Sequence, residues 1–187
     1  ALGEYLYSAS AAEDVDAAIA AAAGERRSLA DVAVFQRLAR GLQALGTYTA
    51  LFSVDTDPYT VAATAERLAG TDATEADVAA ERERLGGETK LLPYQAFATG
   101  AGVDAGGAYT ALVLLHGGEE AAQANVQRLE DRIAEGTSWL GGQPFSEFIS
   151  RVDIVRDGSV ILAKLRSDRY ALWFGLHAGR DTLLVHE

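Results

Sequence analysis

The chain has 187 residues, a mass of 19.7 kDa and a formal net charge of −11, a length that suits one well-cored domain over residues 1–187. Hydrophobic residues at 49% and charged residues at 23% exclude a disordered chain, and the lack of clustered Lys and Arg excludes binding to a nucleic-acid backbone or an anionic membrane surface. With no cysteine, disulfides, thiol catalysis and thiolate metal centres are excluded as well.

No apolar run reaches the roughly 18 residues of a membrane span. Methionine is also missing, Asn125 is the sole asparagine and Arg outnumbers Lys, a balance that suits a thermophilic or high-GC source. The chain starts at Ala1 with no Met anywhere, and the expectation is an exported protein whose signal or anchor segment has been removed.

From the N-terminus, Ser10 and Glu13 make a capping-box pattern before a helix over about 11–23, stopped near Gly24. Ser28 and Asp31 mark a second start. Leu29, Val32, Phe35, Leu38, Leu42 and Leu45 then recur at spacings of three and four, the buried stripe of a helix ending at Gly46. Residues 1–46 thus read as an N-terminal helical hairpin.

Residues 47–54 alternate, with Tyr48, Ala50, Phe52 and Val54 on one side and Thr49, Leu51 and Ser53 on the other, as a strand requires. Asp57 followed by Pro58 starts a helix to about Ala69, and Thr74 with Asp77 starts another to about Leu85. Leu91 to Ala98 reads as a strand placed at a start or an edge by Pro93. A glycine-rich loop over 100–107 leads to a strand over 108–115. A helix over about 119–135 follows, with Ala122, Val126, Leu129 and Ile133 on one face. Asp157-Gly158 joins strands over 151–156 and 159–165, and a turn near Gly179-Arg180 joins strands over 170–177 and 182–187. Together these four make an antiparallel meander.

The pattern G-x-Y-T-A-L occurs at Gly46–Leu51 and again at Gly107–Leu112, and the same offset of 61 aligns Ala63 with Ala124, Arg67 with Arg128 and Leu68 with Leu129. Each copy reads as a strand followed by a helix, so the chain reads as an internal duplication. The element order predicts an α+β fold with a ferredoxin-like β-α-β-β-α-β core over 47–156, extended by a hairpin over 157–187. A pseudo-twofold near Leu51 and Leu112 would place Tyr48 opposite Leu115 and Phe52 opposite Ala111. Ala65, Leu68, Val126 and Leu129 would then pack on the sheet face carrying Tyr48, Phe52, Tyr109 and Val113, and the N-terminal helices on the face carrying Leu51, Thr110, Leu112 and Leu114.

Candidate chemistry is sparse. The glycines at 100, 102, 106 and 107 run into a strand and not into a helix N-terminus, so they do not form a phosphate loop. Asp55 and His116 follow equivalent strands, whose C-terminal ends the ferredoxin-like order sends to opposite edges of the sheet. His116 with Glu119 and Glu120 lacks the one-faced spacing of a metal site, and Ser138, Ser146 and Ser150 lack a histidine partner nearby in sequence. Trp139, Phe145 and Phe148 either cap the core or line a groove for a small apolar ligand or partner segment. In the last hairpin, Trp173 falls opposite His186 on a side shared with His177, Thr182 and Leu184. This surface is too apolar to leave bare and is covered by the N-terminal helices, by a second subunit or by a ligand.

These observations support a non-catalytic, extracytoplasmic binding or protein-interaction domain, with Trp173, His177, His186, Trp139, Phe145 and Phe148 as ligand or interface candidates. The alternative is a small-ligand-binding sensor or enzyme that uses the open face of the sheet. The reading includes no cofactor and no metal; its partners are a homodimer mate, another protein or a small apolar ligand.

Overall fold

The computed structural model describes residues 12–26, 28, 31–138, 142–167 and 182–187. Residues 1–36 and 37–187 form two compact units. The chain is α+β, with five helices and one five-stranded antiparallel sheet among the described residues.

In the first unit, α1 (Ala12–Ala22) closes at Gly24, whose positive φ of 77° is the left-handed region that suits glycine after a helix. The second start also forms: the Ser28 amide donates to the Asp31 carboxylate at 3.3 Å, shortly before α2 (Ala33–Leu45), which from Arg37 onward belongs to the second unit. Gly46, with φ 76°, ends α2, and the Thr47 amide donates back to the Leu42 carbonyl at 3.2 Å in the six-to-one bond of a Schellman cap.

The second unit holds the sheet, built from β1 (Leu51–Ser53), β2 (Ala96–Asp104), β3 (Gly107–Leu115), β4 (Arg151–Asp157) and β5 (Val160–Arg166) in the order β1-β2-β3-β5-β4. Besides α2 from Arg37 onward, its helices are α3 (Val61–Ala69), α4 (Glu75–Gly87) and α5 (Glu119–Glu135). The ferredoxin-like order is therefore not found. Strands β1 and β3 are separated by β2, and Leu51 and Leu112 both lie opposite Thr99 instead of near each other. The cause is local: β2 and β3 are joined by the short turn at 105–106, and nine paired positions of hairpin leave no room for β1 between them. Offset 61 still carries β1 into β3 and α3 into α5, but the two stretches differ in strand length and sheet position, so the duplication is not established by the fold.

Each face of β3 has its own cover. Leu112 and Leu114 join Phe97, Ile161, Ala163 and Leu165 in a core closed by Ala122, Leu129 and Ile133 of α5 and by Phe145 and Leu183. On the other face, Gly41 of α2 sits so close that a Cβ there would lie 2.8 Å from Val113 and 3.0 Å from Leu162. At the ends of the same helix, Arg37 donates to the Ser159 hydroxyl at 2.8 Å, and the Tyr109 hydroxyl donates to the Gly46 carbonyl at 3.0 Å. The expected faces are thus exchanged: α5 packs on the Leu112 side and α2 on the Tyr109 side. Helix α5 follows the strand whose large aliphatic side chains match its own stripe. Helix α2 has a glycine in its buried stripe and fits the side where β2 offers only Ala96, Ala98, Gly100 and Gly102.

Those glycines lie inside β2, where the sequence suggested a loop. A Cβ on Gly100 would meet the Thr49 carbonyl at 2.4 Å, because the chain crosses there on its way to β1, and a Cβ on Gly102 would meet the Tyr109 ring at 2.3 Å. Both strand glycines are positions of close approach. Residues 182–187 depart from the expected hairpin strand. Thr182–Leu184 is a 3-10 turn, and His186 bridges Thr60 and Leu91 in parallel. The proposed partner strand over 170–177 lies outside the described residues.

Leu129 is fully buried, so Leu129→Ala should cost about 2–5 kcal/mol through the cavity it leaves, measured by chemical denaturation. Gly100→Ala should destabilise as well, because its contact is a backbone carbonyl that cannot rotate away. An unchanged midpoint for either variant would contradict the packing described.

Candidate functional site

Of the six side chains singled out by sequence, Trp139, Trp173 and His177 lie outside the described residues. Phe145 is fully buried, edge-on to half-buried Phe148 with centroids 5.8 Å apart and beneath the Arg132 guanidinium at 6.0 Å. It is a core residue. His186 is buried elsewhere, against Tyr94 at 5.1 Å. Its Nδ1 faces the Glu187 carbonyl at 2.8 Å and its Nε2 the Thr56 carbonyl at 3.0 Å, so neither nitrogen presents a lone pair to a substrate.

The sequence reading missed two polar residues on the buried stripe of α5. Asn125 makes two hydrogen bonds with the backbone of Leu92: its Oδ1 accepts from the amide at 2.7 Å and its Nδ2 donates to the carbonyl at 2.9 Å. That pairing fixes the orientation of the amide, since a flipped one would set donor against donor. The second Nδ2 hydrogen then points at His116 Nε2, 2.8 Å away. His116 must accept there and carry its proton on Nδ1, which faces the Ser159 carbonyl at 3.2 Å. Burial holds the ring below the ordinary histidine range, since charging it inside the core costs solvation.

Arg132 is the second. It is fully buried and donates through Nε to the Thr182 carbonyl at 2.8 Å and through Nη1 to the Thr89 carbonyl at 2.6 Å, with the Glu88 carboxylate 3.2 Å from Nη1. Glu88 in turn accepts from Thr137 at 2.6 Å and pairs with Arg84 at 2.8 Å. A buried guanidinium persists only when its donors are paired, and here the pairing ties the returning C-terminal segment to α5. The available signal was positional. Residues 125, 129 and 132 follow helix spacing from Ala122, so Asn125 and Arg132 occupy core positions.

A charged cluster sits at the β2–β3 turn. Lys164 and Arg166 lie over the Tyr109 ring at 4.3 and 5.3 Å, and both bond Asp104, at 3.0 and 2.8 Å. These cations hold the Asp104 carboxyl well below its usual range. Its groups bond one another and the turn backbone. Among the described residues, no group of three His, Cys, Asp or Glu is placed to hold a metal, and no helix is long and apolar enough to cross a membrane.

The least conventional surface is a sheet edge. Strand β4 forms one edge and carries Arg151, Asp153, Arg156 and Asp157, charges that discourage further strand pairing. Among the described residues the other edge is β1, inside a stretch over 41–54 with no charged residue at all. Two other uncharged stretches of similar length, 91–103 and 105–118, supply the central strands β2 and β3. Strand β1 is thus an edge with the composition of an interior strand. Around it Tyr48 is 67% exposed, Leu51 51%, Val54 49% and Val103 62%.

No family model matches the chain, and no curated protein and no solved structure matches it either.

Because unfolded His116 takes up a proton near pH 6.5 and the folded ring does so only at lower pH, unfolding binds a proton between those values, and stability should fall as pH drops below about 6.5. Asn125→Leu, which orphans both Leu92 backbone groups and His116 Nε2, should cost at least about 1–3 kcal/mol by chemical denaturation. A His116 imidazole that titrates at its ordinary value by NMR would contradict the assigned pairing.

Proposed function

We propose that the chain is a non-catalytic protein-interaction domain that engages its partner at the β1 edge. The observation that carries this reading is the uncharged, exposed apolar margin of the sheet at Tyr48, Leu51 and Val54, set against a charged margin at β4. An exposed strand edge offers backbone hydrogen bonds along a line, and alternate side chains add selectivity, which is recognition by strand addition. The chemistry of the interior favours the same view. His116 and His186 spend their ring nitrogens on Asn125 and on backbone carbonyls, which leaves neither as a general base. Burial of β3 on both faces weighs against a ligand site on the open sheet. We further propose an extracytoplasmic setting, in which a chain without thiols or thioethers has no sulfur to oxidise.

The test is selection of peptides from a displayed random library on dilute protein. Enriched sequences should be extended, with apolar residues at alternate positions, and should lose binding to Leu51→Lys while that variant keeps its circular dichroism and melting temperature. Failure to enrich any sequence, or binding unaffected by the substitution, would overturn the assignment of the β1 edge.

A further inference from the structure

We infer that His186 is a proton-operated clasp: residues 185–187 seat fully between residues 59–61 and Leu91 only while the imidazole carries a proton on both nitrogens. Each ring nitrogen faces an oxygen that can only accept, Nδ1 the Glu187 carbonyl at 2.8 Å and Nε2 the Thr56 carbonyl at 3.0 Å. A neutral imidazole has one N–H and one lone pair, so in either tautomer one of those oxygens is met by a lone pair. The imidazolium donates to both. His186 is buried, which leaves a mismatched nitrogen little recourse to water.

The ring belongs to a short length of backbone inserted between two others. The His186 amide donates to the Tyr59 carbonyl at 3.0 Å, and its own carbonyl accepts from Val61 at 3.2 Å. On the far side, Leu91 donates to the Val185 carbonyl at 3.0 Å and accepts from Glu187 at 3.2 Å. Upstream, Arg132 holds the Thr182 carbonyl and Tyr94 the Leu184 carbonyl, through side chains of types that do not titrate near neutrality, so the change is confined to 185–187. Release there bares the backbone at 59–61 and at Leu91, a slot one strand wide. The charged and titratable groups around the ring are Tyr94, 5.1 Å away between centroids, Tyr59, Asp55 and Asp57 on either side of Thr56, and Glu187 with its partner Arg128 at 3.2 Å. Beyond Tyr94 lies His116, 6.5 Å from that ring. Histidine alone among these types changes charge between about pH 5 and 8, and burial holds His116 below the ordinary range. Seating uses one N–H more than the neutral ring supplies, so it takes up a proton: acid favours the seated segment, and the grip is lost as pH rises. His116 has the opposite sign and acts below about pH 6.5.

Amide hydrogen exchange of the full chain between about pH 6.5 and 8.5, corrected for the intrinsic pH dependence of exchange, reads the clasp in a range where His116 stays neutral. The amides of Val61, Leu91, His186 and Glu187 should lose protection as pH rises, by up to about tenfold per pH unit, while those of Leu112 and Leu114 in β3 keep theirs. His186→Gln should show the lower protection at every pH and no pH dependence. Should that variant fail to fold, nitrogen NMR of the wild-type ring decides, and both nitrogens of His186 should read as protonated at about pH 6.5. Protection at these four amides that does not change with pH, a pH dependence that persists in His186→Gln, or a seated segment whose ring has one bare nitrogen at that pH would overturn the proposal.

Discussion

Strand β3 carries Ala111, Leu112, Val113, Leu114 and Leu115 in succession, so both of its faces must be kept from water, and the second unit is arranged around that requirement. In an antiparallel sheet one face often meets solvent. Here α5 closes one side with aliphatic side chains, and α2 closes the other by approaching through Gly41. The two solutions differ because the neighbouring strand differs between its faces. On one side β2 offers Phe97 and Thr99, and on the other only alanines and glycines, which let a helix come close but give it little to interlock with.

The close approach has to be held at its ends. Arg37 reaches the β4–β5 turn at Ser159, and Tyr109 reaches the end of α2 at Gly46 while its ring fills the space over Gly102. On the opposite side, Asn125 and Arg132 do for the irregular segments what strand pairing does for the sheet. Residues 88–95 and 182–187 contain few regular backbone hydrogen bonds, and these two side chains supply donors and acceptors to Leu92, Thr89 and Thr182. Such buried polar contacts give specificity more than net stability, since each must first be desolvated. They also engage both ring nitrogens of His116, Nε2 with Asn125 and Nδ1 with the Ser159 carbonyl.

The two margins of the sheet show how exposure and composition can disagree. At β4, alternation of charge with apolar residues is what an edge in water requires. At β1, Thr, Tyr, Ala, Leu, Phe, Ser and Val occupy a stretch that water reaches, and the free energy of leaving them there is offset only if something else covers them. This discrepancy between place and composition sets β1 apart from β4 among the described residues.

Much of the local structure was legible in the sequence because it depends on near neighbours. Gly24 and Gly46 ended their helices where a left-handed residue was needed, Thr74 and Asp77 formed the capping box at α4, and the stripe Ala122, Leu129, Ile133 faced the core. The β4–β5 hairpin formed with Gly158 and Ser159 at its turn. Strand order was not legible, because the repeated G-x-Y-T-A-L fixes which residues favour a strand but not which strand lies beside it. A short turn at 105–106 paired β2 with β3 and excluded β1 from that position. The roles of Gly100 and Gly102 were hidden for a related reason: a glycine reads as a loop until a carbonyl or a ring from a distant residue occupies the space its side chain would need. The sequence by itself determined helix ends, apolar stripes and turns, since these rest on contacts a few residues apart. The tertiary structure alone decided which face each helix covers, which polar groups are buried in pairs and which strand is left at the edge, since those depend on atoms brought together from far along the chain.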